Sequence, residues 1–313
     1  MGCNVKNAIT FVRDKGRIKR KIFNEKTNPY ILIAPAVIFI LTIVVYPVLR
    51  TIYYSFFDFK LWKMNNITFV GMDNYLSLLK DPDYILAFIN TFKWVIIVVS
   101  LQFAFGMLIA LLLSQHFMLR GFVRAVILIP WVTPSVVTAL MWVWMYHGNF
   151  GIINYLLNLV GIIDDFVPFL AQTTTALYAC MVTVIWQGTP FFVIMLIAGL
   201  SGIPAELYEA SNVDGASSMQ KFIHITLPCL RNTIFITTLL RIIWVANNVD
   251  IIYLMTGGGP ANSSLTIPVD AYITAQKGYD FGYASSMSVT LAIILSIMAI
   301  FYVKKMKSTD GVK

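Results

Sequence analysis

Charge is what this chain has least of. Asp, Glu, Lys and Arg supply 12% of its 313 residues, against 58% apolar residues. Ordinary soluble domains carry about 25% and about 45–50%. A soluble fold of this length could not cover so much apolar surface with so few charged side chains. Cysteine is scarce too: Cys3, Cys180 and Cys229 all fall outside the loops read below as external, which excludes an external disulfide framework. His116, His147 and His224 are scattered, with no metal-ligand spacing. The chain has no nucleotide-binding glycine loop, no convincing internal repeat and no low-complexity segment. Its apolar stretches carry no paired carboxylates, Ser/Lys pair or His-rich site, as an intramembrane enzyme would need. Nothing argues for catalysis, a cofactor or a metal.

What is abundant is long apolar sequence. A helix needs about 20 mostly apolar residues to cross the hydrocarbon core, where each backbone N–H and C=O must be bonded internally. Six stretches qualify: Ile31–Leu49, Trp94–Leu113, Ala125–Tyr146, Thr175–Leu200, Thr233–Met255 and Ala284–Val303. The expected class is therefore an all-α integral membrane protein with six transmembrane helices. Pro130 and Pro134 in the third stretch, and Gly188 with Pro190 in the fourth, are expected to kink helices and free carbonyls. Trp142 and Trp144 read as part of an aromatic belt at a boundary.

The basic residues orient the chain. With both termini in the cytoplasm, sixteen of the 23 Lys and Arg lie inside and only Lys60, Lys63, Lys80 and Lys277 outside. Residues 1–29 form a basic cytoplasmic segment, 30–305 the six-helix domain and 306–313 a cytoplasmic tail. The net charge of +8 comes largely from the run between Arg13 and Lys26, which meets anionic lipid heads. It does not call for nucleic acid. The first stretch is too long for a cleavable signal and lacks a cleavage site. Met1-Gly2-Cys3 lacks the Ser or Thr that an acylation site would want at Lys6.

The outside loops are short. Residues 51–92 suit one or two surface helices, and Gly151–Asn158 an interfacial helix. Thr256-Gly257-Gly258-Gly259-Pro260 ends the fifth span, because such a run cannot continue a helix. The inside loop Ser201–Asn232 is more organised. Pro204 suits a first helical position, Ala205–Val213 forms a helix, and Asp214-Gly215 stops it. Ser217 or Ser218 then caps a second helix running toward Pro228. From the residues alone, two readings stand: a rigid knob for a cytoplasmic partner, or an amphipathic elbow on the lipid surface.

That loop reads Glu209-Ala210-Ser211, then Gly215, then Ile225-Thr226-Leu227-Pro228. It resembles the EAA loop of permeases from binding-protein-dependent ABC importers: Glu-Ala-Ala, three residues, Gly, nine residues, Ile, one residue, Leu-Pro. All spacings agree, and Ser211 is the one departure. Phe69–Tyr75, Asn90-Thr91, Ile129-Pro130-Trp131, Tyr253–Pro260 and Asp280–Ala284 extend the resemblance to carbohydrate importers of the maltose type, and to the first permease of the pair. It covers roughly residues 28–305, without that type's extra spans or large outside domain. The resemblance implies the type I ABC importer permease fold in a bacterial cytoplasmic membrane. It also implies a second homologous permease, a cytoplasmic ATPase dimer, an external solute-binding protein and a sugar or oligosaccharide substrate. Glu209, Ala210, Gly215, Ile225, Leu227 and Pro228 then couple the spans to the ATPase.

Polar residues within spans line pathways or pack between helices. The fifth span has Arg241, Trp244, Asn247, Asn248, Asp250 and Tyr253, and the sixth has Ser285 and Ser288. At 100° per residue Arg241, Trp244 and Asn248 share one stripe, and Asn247 and Asp250 another. Aromatic rings beside amides suit a sugar; hydrogen bonding between helices is the alternative, and Asp250 reads equally as a solvated cap. Arg241 raises an anionic substrate. A secondary transporter coupled to ions through Asp250 and Arg241 is the competing function, but it predicts internal repeats and no organised inside loop.

Overall fold

The computed structural model describes residues 28–63, 66–115 and 117–310. Most of the basic segment 1–29, the Met1-Gly2-Cys3 opening, His116 and the end of the tail lie outside those residues. The described chain divides into two compact units at Tyr53/Tyr54.

The first span is α1 (Asn28–Ile40), a π-helical turn (Leu41–Val45) and α2 (Tyr46–Tyr54), and all of it but Tyr54 falls in the first unit. Its apolar window, Leu32–Tyr54, has a mean hydropathy of 2.6. The helix runs past the expected end at Leu49, and Arg50 donates from Nε to Tyr46 Oη at 2.9 Å.

The second unit opens on a small antiparallel hairpin that pairs β1 (Phe57–Asp58) with β2 (Thr68–Phe69). The surface helix expected in the loop 51–92 is α3 (Asp73–Leu78). Asn74 Nδ2 donates to the carbonyls of Ser55 and Phe57 at 2.9 and 3.0 Å, pinning α3 to the first strand. The second span, α4 (Pro82–Ser114), starts well before the expected Trp94. Asp81 caps it, accepting from the N–H groups of Asp83 and Tyr84, and Pro82 occupies a first-turn position whose N–H would have no partner.

The third stretch is not one straight helix. It comprises α5 (Arg120–Val132) and α6 (Ser135–Met145), bent by 93°. Thr133 and Pro134 form the break; Pro134 lacks an N–H and pushes the preceding residue out of helical geometry. Trp142, expected in an aromatic belt, is instead buried and packs its ring 5.7 Å from Trp186 and 5.4 Å from Tyr146. Trp144 is exposed. The short helix α7 (Ile152–Leu159) follows, with Ile152, Tyr155, Leu156 and Leu159 exposed. The fourth span, α8 (Ala176–Ser201), continues through Gly188 and Pro190. It packs most extensively on α4, with Phe103 edge-on to Phe192 at 5.9 Å.

The loop between the fourth and fifth spans holds α9 (Ala205–Val213) and α10 (Ser218–Lys221). A π-helical turn, Phe222–Thr226, follows α10. The second loop helix does not stop at Pro228. It runs on through that residue into α11 (Leu227–Ala246), where Pro228 occupies a first-turn position. The fifth span breaks at Asn247–Val249 and resumes as α12 (Asp250–Met255). A further helix, α13 (Ile267–Gln276), lies where the sequence signals only a turn. The last span, α14 (Phe281–Asp310), runs into the expected tail. Among the described residues, five helices are long and apolar enough to cross a membrane, or six with the bent pair counted as one.

Candidate functional site

Two of the spans are broken, and both breaks face the same space. Non-helical backbone at membrane depth is tolerated only when buried in protein or lining a cavity. A cavity of about 360 Å³ is bounded by Thr133 and Pro134 from one break, and by Asn248 from the other. This volume lies near the lower end of small-molecule sites, roughly 300–1,000 Å³. Trp131, Ser135, Gln187, Gly188, Arg241 and Trp244 complete its polar and aromatic wall. Gly188 stands near the midpoint of the 26-residue α8, so the cavity sits about halfway along the span.

The stripe of Arg241, Trp244 and Asn248 meets as expected. Arg241 is 7% exposed, and its Nε donates to Gln102 Oε1 at 2.9 Å. Gln102 Nε2 in turn donates to the Val184 carbonyl at 2.7 Å. The Arg241 guanidinium also lies 6.0 Å from the ring centroids of Phe191 and Trp244, where ring faces favour a cation. Gly188 makes this arrangement possible. A Cβ there would overlap both Arg241 Nη2 and Gln102 Nε2. Gln187 Nε2 donates to the freed carbonyl of Thr133 at 3.2 Å, tying α8 to the break. At the other break Trp94 Nε1 donates to the Val245 carbonyl at 2.9 Å, beside the Asn248 N–H at 3.2 Å.

The remaining sequence candidates lie elsewhere. Asn247 is exposed and donates from Nδ2 to the Ile243 carbonyl of its own helix at 2.8 Å. Asp250 is exposed in the first turn of α12, the position of a solvated cap. The helical stripe expected to join Asn247 and Asp250 does not exist, because the helix is interrupted between them. Tyr253 packs on Tyr272 at 4.8 Å and beneath Lys277. Ser285 is half-buried and Ser288 exposed, and neither lines the cavity. Gln102, Gln187 and Thr133 are site residues that sequence reasoning missed, although a glutamine inside an apolar helix is itself a signal of a buried polar contact. A second cavity, about 350 Å³, is walled mainly by apolar residues such as Phe92, Val95, Ile294 and Met298, and offers little to a polar solute.

The loop between the fourth and fifth spans forms a compact knob. Ser217 Oγ accepts from the Gln220 N–H, and Gln220 Oε1 accepts from the Ser217 N–H, closing a capping box. Tyr208 Oη and Thr226 Oγ1, 2.9 Å apart, brace α9 against the π turn. Lys221 Nζ donates to Asn212 Oδ1. Gly215 holds φ +72°, and a Cβ added there would meet no atom within 4 Å, so conformation and not space requires glycine. Glu209 and Ala210 are exposed on α9; Ile225 and Leu227 are half-buried, and Pro228 is exposed. Leu207, Val213, Met219 and Ile223 are exposed as well.

Residues 102–304 match the family described as binding-protein-dependent transport system inner membrane component. The chain belongs to that family. This permease is 32% identical over 282 residues to the trehalose/maltose transport system permease protein MalF of Thermococcus litoralis, covering 90% of this chain and 94% of that one. It is 33% identical over 280 residues to the sulfoquinovosyl glycerol transport system permease protein SmoG of Agrobacterium fabrum, covering 90% of each. The fold is that of a subunit of a bacterial ABC transporter involved in the import of the acidic polysaccharide alginate. That match has a TM-score of 0.78 at 23% identity, covering 96% of this permease and all of the other chain. The inner membrane location and the multi-span helical class follow from the family.

Proposed function

We propose that this permease is one membrane subunit of an ATP-driven importer that moves a sugar or oligosaccharide into the cytoplasm. On this reading a second homologous permease completes the pathway, a cytoplasmic ATPase dimer drives it and an external binding protein delivers the substrate. The observation that carries the mechanism is the helical run from Ser218 to Ala246. It carries the knob at one end and Arg241 and Trp244 toward the other, with Asn248 in the break just beyond. A push on the knob therefore reaches the cavity through a rod, broken only at Asn247–Val249 beside the substrate position.

With both termini in the cytoplasm, as the Lys and Arg bias directs, the knob faces the ATPase. Leu207, Val213, Met219 and Ile223 supply its apolar contact, and the exposed Glu209 carboxylate meets a basic residue of the partner. Gly215 sets the angle between α9 and α10, and Ile225, Leu227 and Pro228 pass the motion into α11. In the cavity, Trp131 and Trp244 offer ring faces to a sugar, while Gln187, Ser135 and Asn248 offer hydrogen bonds. The chain contributes pathway and coupling, and ATP hydrolysis belongs to another subunit. The sugar class rests on relatives that serve trehalose/maltose and sulfoquinovosyl glycerol systems.

Co-purification tests this directly. Tagged permease is expected to bring down a second permease and an ATPase, with ATP hydrolysis stimulated by sugar-loaded binding protein. Purification without any ATPase subunit counts against the reading.

A further inference from the structure

Among the described residues, Arg241 is the only ionisable one in the cavity wall. No described carboxylate of this chain forms an ion pair with Arg241. Its hydrogen-bond partner is a neutral amide, Gln102, and its ring contacts are Phe191 and Trp244. The amide takes only Nε. The guanidinium is therefore fixed at one edge, while its terminal Nη groups, pressed over Gly188, remain for something in the cavity.

Burying an unpaired cation at mid-span is expensive unless a partner arrives. A guanidinium fork fits a planar, two-oxygen anion better than a hydroxyl. The hydroxyls of a neutral sugar can be met by amides, which carry no such burial cost. Resting on the importer reading above, we infer that this permease selects an acidic saccharide, whose carboxylate or equivalent oxyanion docks on the Nη edge of Arg241. The sugar rings then lie against Trp131 and Trp244. Gln102 and Gly188 are positioning residues that hold the guanidinium toward the solute.

The test uses the assembled importer in proteoliposomes with its own binding protein. It is given matched saccharide pairs, each a neutral disaccharide beside its uronate counterpart, such as galactobiose beside digalacturonate and cellobiose beside cellobiouronate. ATP-driven uptake is expected to favour the uronate member by roughly tenfold or more. R241Q should bring the ratio of uronate to neutral uptake down toward one; R241K, which keeps the charge but loses the fork, should fall between. Equal uptake of both members, or an R241Q variant that slows both alike, overturns the inference and leaves the importer standing. A carboxylate of the second permease found paired with Arg241 in the assembled complex overturns it as well. If no saccharide moves with ATP, the importer reading falls and this inference falls with it.

Discussion

Arg241 and Gln102, 139 positions apart in sequence, meet through a single Nε–Oε1 hydrogen bond of 2.9 Å over the bare backbone of Gly188. Three spans thereby converge on one guanidinium. A side chain at position 188 would occupy the same space, so G188V should drive Arg241 and Gln102 apart. The expected loss is about 1–3 kcal/mol of stability from overpacking and at least an order of magnitude of transport, with membrane insertion intact. Thermal unfolding of the purified complex and an uptake assay measure the two effects.

Q102L removes the acceptor without adding bulk. It leaves the buried Arg241 Nε without its acceptor, which costs about 1–3 kcal/mol. Uptake should fall while the knob's association with the ATPase, measured by co-purification, stays normal.

Gly215 gives the clearest test of the proposed coupling. Its φ of +72° strains any β-branched residue by about 1–2 kcal/mol, yet no neighbour would clash. G215V should insert and assemble but lose the stimulation of ATP hydrolysis by loaded binding protein. Retained stimulation would remove the coupling role from this turn.

Asn90 donates to the carbonyls of Ser263 and Leu265 at 3.1 and 3.0 Å, and Thr91 Oγ1 accepts from the Ile267 N–H at 2.9 Å. These bonds seat the glycine-rich turn and α13 on the second span. N90A should lower the unfolding midpoint by an amount corresponding to about 1–3 kcal/mol without altering the knob.

Asp270 on α13 is 9% exposed, and its Oδ2 has no hydrogen-bond partner among the described residues. Burial, then the charges of Asp81 and Asp83, push its pKa from 3.8 up to about 6. The native state thus holds this proton at pH values where the unfolded chain has released it. The stability it contributes is fully present below about pH 4 and is lost as pH rises through about 6. D270N should flatten that part of the profile and raise the unfolding midpoint at about pH 7, as read by thermal melts from about pH 4.5 to about 7.5.

The parts legible in the sequence are those set by local chemistry. Ala205–Val213 is a helix with the expected bounds, because Pro204 begins it and Asp214-Gly215 ends it within one segment. Arg241, Trp244 and Asn248 share a cavity because one helix carries Arg241 and Trp244 and its break starts just before Asn248. What was not legible depends on partners distant in the chain. Asn247 and Asp250 make a stripe only on a continuous fifth span. The break at Asn247–Val249 is stabilised from outside, by Trp94 donating to Val245. Likewise Trp142 reads as a boundary residue until Trp186 and Tyr146 enclose it. The helix α13 lies hidden behind a glycine run that locally signals only a turn.

The most direct measurement of the central claim is uptake of a labelled saccharide into proteoliposomes holding this permease, its partner subunits and the loaded binding protein. The account predicts uptake that requires ATP inside, persists when ionophores collapse every ion gradient and disappears with G215V. Uptake that follows an ion gradient and ignores ATP would contradict it.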